Sequence, residues 1–165
     1  QSAALLNSVG IGLTNVIFTY VGISLIDKLG RRSLMYIGSI GYIISLTLIS
    51  LSFILNWGGI LLPIFLFLFI ASHAIGQGAI IWVYISEIFP NHIRSYGQSF
   101  GVSTHWVLAA IIPSLIPFLF SWIGPGIVFG FFAFMMVLQL LFTHFIMPET
   151  KGVSLEDLSK KLIKN

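Results

Sequence analysis

Two histidines, a glutamine and two tryptophans lie inside long uncharged runs of this chain. His73, Gln77 and Trp82 share one run, with Gly76 and Gly78 between them, and His105 and Trp106 share another. An imidazole donates and accepts hydrogen bonds, as does an amide, and an indole offers a flat apolar face with one N–H. The chemistry on offer is hydrogen bonding and ring packing. Nothing points to an enzyme or to a cofactor. No cluster of histidines and carboxylates has metal spacing, and no Ser–His–Asp set, phosphate loop or dinucleotide fingerprint occurs. With no cysteine, disulfides and thiolate metal sites are excluded.

The elements that must position these residues follow from where the charges fall. Eight basic and five acidic side chains form three clusters: Asp27 to Arg32, Glu87 with Arg94, and Glu149 to Lys164. Between them lie uncharged tracts at 1–26, 33–86 and 95–148. A helix needs about 20 apolar residues to cross a bilayer, so each of the two longer tracts holds two crossings and the first holds one. Asn56-Trp57-Gly58-Gly59 and the segment 121–126 supply the turns. The expected fold is all-α and polytopic, with five membrane helices at about 4–26, 34–55, 60–86, 98–120 and 126–147. A β-barrel would need alternating polar and apolar residues, and the run Ile64 to Ile70 does not alternate. Pro113 and Pro117 should bend the fourth helix, and Pro148 should stop the fifth.

All eight Lys and Arg lie in the 27–32 segment, the Glu87–Arg94 segment or the tail. The positive-inside rule makes those segments cytoplasmic, which puts Gln1 outside and Asn165 inside. The net charge of +3 therefore reads as a topology signal and not as nucleic-acid binding. No secretory leader is expected, and a start at Gln1 reads as a piece of something longer. In the tail, 148–165, Ser154 and Asp157 fit a capping pattern, and Leu155, Leu158 and Leu162 fall on one face of a short amphipathic helix.

Three motifs stand in register between the helices: Asp27-Lys28-Leu29-Gly30-Arg31-Arg32, the segment from Trp82 through Ser86-Glu87-Ile88-Phe89-Pro90 to Arg94, and Pro148-Glu149-Thr150-Lys151-Gly152. With them the chain resembles the sugar porters of the major facilitator superfamily, from the eighth helix through the twelfth. The resemblance implies a twelve-helix transporter of two halves that moves a monosaccharide by alternating access, by uniport or proton symport, in the plasma or inner cell membrane. Its partners would be the sugar, the lipid bilayer, the N-terminal half and, for a symporter, protons. A single five-helix piece would not transport alone.

The resemblance also implies roles. Trp82 matches the tryptophan that packs on the sugar, with Gly78, Gln77 and His73 beside it. His105 stands where relatives carry a sugar-bonding amide, followed by Trp106, and Asn15 matches a cavity-facing asparagine. The family usually has prolines before the tryptophan; Gly78-Ala79-Ile80-Ile81-Trp82 has none, so a pre-broken gating helix is not assured. Asp27, Arg31, Arg32, Glu87, Arg94 and Glu149 would form a cytoplasmic gating network. Each assignment has a plainer competitor. The competitor for Trp82 is a lipid-facing or core aromatic, for the polar residues helix–helix contacts, and for the basic residues headgroup binding. For the whole chain, the competitors are a non-transporting accessory or assembly module and a carrier of another small polar solute.

Overall fold

A computed structural model describes residues 2–57 and 59–153, and its regular structure is entirely helical. The elements are α1 (Ser2–Leu29), α2 (Arg31–Ile54), α3 (Leu61–Ile75), α4 (Gln77–Glu87), α5 (Arg94–Ile123) and α6 (Pro125–Phe145). Five spans are long and apolar enough to cross a membrane, with α3 and α4 together forming one of them, Leu61–Glu87. The expected tail helix from Ser154 onward lies outside the described residues.

Three expectations need correcting. The turn in 27–32 is tighter than the expected helix bounds of 26 and 34 imply: α1 runs through Asp27 and Lys28, α2 starts at Arg31, and Gly30 alone separates them. Gly30 has φ 91°, a left-handed conformation that costs a side chain about 1–2 kcal/mol. A Cβ there would also stand 2.5 Å from Oε2 of Glu149. The fourth span likewise starts at Arg94, not near 98, and runs to Ile123 with Pro113 and Pro117 inside it. Charged residues continue the helices because their backbone groups still need partners at the membrane edge, while their side chains reach out to pair.

The third correction concerns the span 60–86. It is broken at Gly76 although no proline is present there. Gly76 packs backbone to backbone on Gly38 of α2, and a Cβ on Gly76 would lie 2.7 Å from the Gly38 Cα. Close approach of two helix backbones replaces the missing prolines as the companion of the break.

α2 is the central element. It packs most extensively on α6 and next on α3, while α1 packs on α3. Small residues permit this: Gly126 and Gly130 of α6 face Ser50 and Ile54 of α2, and Ser50 donates to the Gly126 carbonyl at 2.6 Å. One apolar core, near the charged end, joins Ile26, Leu34, Met35, Ile80, Tyr84 and Met147. A second joins Tyr42, Leu46 and Ala133. α5 has no fully buried residue; it meets α6 and α4, with Gly97 on the Phe89 ring and Gly101 on Ile85.

Candidate functional site

At the charged end, Arg31 is the hub. Its Nε donates to Glu87 Oε2 at 3.1 Å and its Nη2 to Glu87 Oε1 at 2.7 Å, a two-pronged pair. Its Nη1 donates to Asp27 at 2.9 Å and to the Ile26 carbonyl at 3.4 Å. The Arg31 and Glu87 side chains are only 11% and 20% exposed, whereas Asp27 is 83% exposed. Fork-to-fork geometry in a half-dry setting makes the Glu87 contact the stronger of the two. Thr150 adds a hydroxyl bond to Glu87 at 2.6 Å.

Glu149 acts differently. Its carboxylate accepts the backbone N–H groups of Arg31 at 2.9 Å and Arg32 at 3.1 Å, and so caps the start of α2. It also accepts those of Thr150 and Lys151, each at 3.0 Å. A negative group is favourable at a helix N-terminus, where the first amides lack partners. The opposite polarity is served by cations. Arg32 donates to the Thr143 carbonyl at 3.0 Å and to that of His144 at the end of α6, and Lys151 donates to the Lys28 carbonyl near the end of α1 at 2.6 Å.

Of the six charged residues singled out in the sequence, five are joined this way. Arg94 lines the same 660 Å³ recess as Asp27, Arg31 and Glu87 but forms no ion pair among the described residues. Its Nε folds back to the Phe89 carbonyl at 3.2 Å, closing its own loop, and one terminal nitrogen is buried without a hydrogen-bond partner among the described residues. The local turn has captured the side chain before it reaches an acid.

The second site is a cavity of about 740 Å³ between α2, α3, α4, α5 and α6. Its lining includes His73, Gln77, Gly78, Trp82 and His105, so five of the seven candidate solute residues share one space. The walls are otherwise apolar and aromatic, among them Phe69, Phe129, Phe132 and Phe142. The His105 ring stands edge-on to Trp82 at 4.9 Å between centroids and 75° between planes. His105 makes ring contacts with Trp82 and Trp106 but no hydrogen bond among the described residues. His73 Nδ1 is paired with the Tyr42 hydroxyl. Gly78 matters for space, since a Cβ there would sit 3.0 Å from His73 Nε2.

Two candidates lie elsewhere. Trp106 is 63% exposed and outside the cavity lining, turned away by one residue of helix rotation from His105. Asn15 is exposed on α1, where it accepts a hydrogen bond from Thr19 at 3.0 Å. The cavity also has polar lining that the sequence motifs do not single out: Tyr42 of α2 and Gln139 of α6. Gln139 carries a usable signal, being an uncharged amide in the middle of an apolar run. Among the described residues no three or more His, Asp or Glu side chains converge as metal ligands would.

The family profile described as sugar (and other) transporter matches residues 1–162. The arabinose-proton symporter of Bacillus subtilis (strain 168) is 36% identical over 165 residues, covering 99% of this chain and 36% of that protein. Probable polyol transporter 3 of Arabidopsis thaliana is 36% identical over 163 residues, covering 94% and 32%. Among solved structures, the inward-open xylose transporter XylE from E. coli superposes with a TM-score of 0.88 at 30% identity, covering 98% of this chain and 36% of that one. The chain thus spans about a third of the length of the relatives it matches. With an all-helical fold, five membrane-length spans and this likeness along nearly its whole length, the chain is a multi-pass membrane protein that belongs to the major facilitator sugar transporter family.

Proposed function

We propose that these five spans form one wall of a monosaccharide pathway, with the sugar lying over Trp82 and hydrogen-bonded by His105. The observation that carries this is the Trp82–His105 pair on the cavity wall: an apolar ring face beside an imidazole without a hydrogen-bond partner among the described residues. A pyranose has the matching form, a C–H face for the indole and hydroxyls for the imidazole. Gln77, Gly78 and His73 complete the wall, while Asn15 and Trp106 stand ready for elements packed outside this bundle.

In this reading the wall rocks against a second bundle in alternating access. The charged end, Asp27, Arg31, Arg32, Glu87 and Glu149, keeps the helix ends moving as one body and lies in the cytoplasm, with Arg94 bracing its own loop beside it. The N-terminus is then outside and the C-terminus inside, in the plasma or inner cell membrane. Proton coupling is part of the proposal because the arabinose relative is named a proton symporter, and a polyol is the second solute class because of the polyol relative.

The test is a chimera in which these 165 residues replace the matching third of the Bacillus arabinose-proton symporter. Saturable uptake of labelled arabinose or xylose, lost on Trp82→Ala, is expected. Uptake indifferent to Trp82→Ala would overturn the assignment.

A further inference from the structure

Half-helix α4 begins at the break, and three polar side chains from three helices meet at its first residue. Gln77 opens α4. Its Nε2 donates to Ser39 Oγ of α2 at 3.2 Å, and Gln139 Nε2 of α6 donates to the same oxygen at 3.4 Å. Ser39 is fully buried. Gln139 also approaches the Met35 sulfur at 3.7 Å. Beside this junction Gly76 rests on Gly38, so no Cβ separates the two backbones.

We propose that Ser39 and Gln139 are positioning residues: with Gln77 they form a lock that holds α4, and therefore Trp82, against α2 and α6. The break at Gly76 interrupts the backbone continuity that would otherwise fix α4 relative to α3, so side chains must fix it. Ser39 is fully buried and outside the cavity lining, so a hydrogen bond lost there has no ready replacement, which makes its oxygen the natural anchor. The lock is also built to release. Gln77 Oε1 is buried with no hydrogen-bond partner among the described residues, and a half-satisfied buried network holds its state less firmly than a complete one. A small swing of α4 that gives this oxygen a partner offsets the bonds it breaks.

Ser45 provides the internal contrast. It lies on the same helix and is equally buried, but its hydroxyl donates to Tyr42 O of its own helix at 3.2 Å. A generic loss of core packing would affect Ser45→Ala and Ser39→Ala alike, whereas a lock distinguishes them.

The functional meaning of the lock rests on the reading of Trp82 as solute wall, but its test uses no solute, so the two fail separately. The chain has no cysteine, so Ile81→Cys places a unique thiol on the cavity face of α4. With the 165-residue chain in lipid nanodiscs, the rate of modification by a membrane-impermeant maleimide should rise at least fivefold, roughly 1 kcal/mol of opening, in Ser39→Ala and in the volume-conserving Gln77→Met. It should stay unchanged in Ser45→Ala. If Ser39→Ala does not insert, Gln77→Met and Gln139→Met carry the same comparison. Unchanged rates in the lock variants, or an equal rise in Ser45→Ala, would overturn the proposal.

Discussion

The charged end and the cavity are both polar, yet they are wired in opposite ways. At the charged end nearly every strong group is spent on the protein itself. Glu149 accepts four backbone amides, Arg31 grips Glu87 with two prongs, and Arg32 and Lys151 serve helix carbonyls. In the cavity the polar groups are only partly spent: among the described residues His105 makes ring contacts but no hydrogen bond, and the Gln77 carbonyl is unpaired. Satisfied networks hold structure, while unsatisfied groups around a cavity wait for a partner. Substitutions at the two places should therefore fail differently, one by stability and the other by function.

The largest effect is expected at the charged end. Glu87→Ala leaves the Arg31 guanidinium half-buried and without its two-pronged partner, and should cost about 3 kcal/mol, the low end of the range for breaking a buried pair, read as a lowered unfolding midpoint of the bundle in detergent. In the cavity, Trp82→Ala removes an indole that, on the proposed reading, is worth about 1.5–3 kcal/mol to the bound solute. Uptake by the chimera should fall about 10- to 100-fold, with the unfolding midpoint nearly unchanged because Trp82 is already 39% exposed. A fall in stability as large as that of Glu87→Ala would merge the two regions and break the comparison. Gly30→Ala comes next, at roughly 1–2 kcal/mol for the left-handed backbone, with Glu149 forced off the start of α2; faster amide exchange at residues 31–34 would register it. The smallest is Asp27→Asn, below about 0.5 kcal/mol, since that pair is an exposed i, i+4 contact; an equally large loss here and in Glu87→Ala would mean that the two-pronged contact is not what anchors Arg31.

Much of this contrast is legible in the sequence, because charge is excluded from hydrocarbon. That exclusion by itself places Asp27 to Arg32, Glu87 and Glu149 at one end of the bundle. The number of spans follows from the same rule. What burial each span achieves does not. α2 and α5 are about equally apolar, yet α2 has ten buried residues and α5 none. Lipid is as apolar as a protein core, so hydropathy carries no information on which face meets which.

The same gap explains why the site is only partly legible. Asn15 and His105 are both polar residues in apolar runs, and only their neighbours decide that one lies out on α1 and the other on the cavity wall. The break at Gly76 is hidden in the sequence because glycine does not force a break as proline does; its partner Gly38 is 38 positions away in the chain. Ser39 is hidden because most buried serines, like Ser72 and Ser52, simply bond their own helix.

The most direct measurement pairs uptake with stability for one substitution in the chimera, His105→Leu. It keeps an apolar side chain against Trp82 and removes both ring nitrogens. The account predicts that uptake of labelled pentose falls at least tenfold, about 1.4 kcal/mol, while the unfolding midpoint stays within experimental scatter of the parent. Full uptake, or a loss of stability that matches the loss of uptake, would contradict the claim that His105 is kept for the solute.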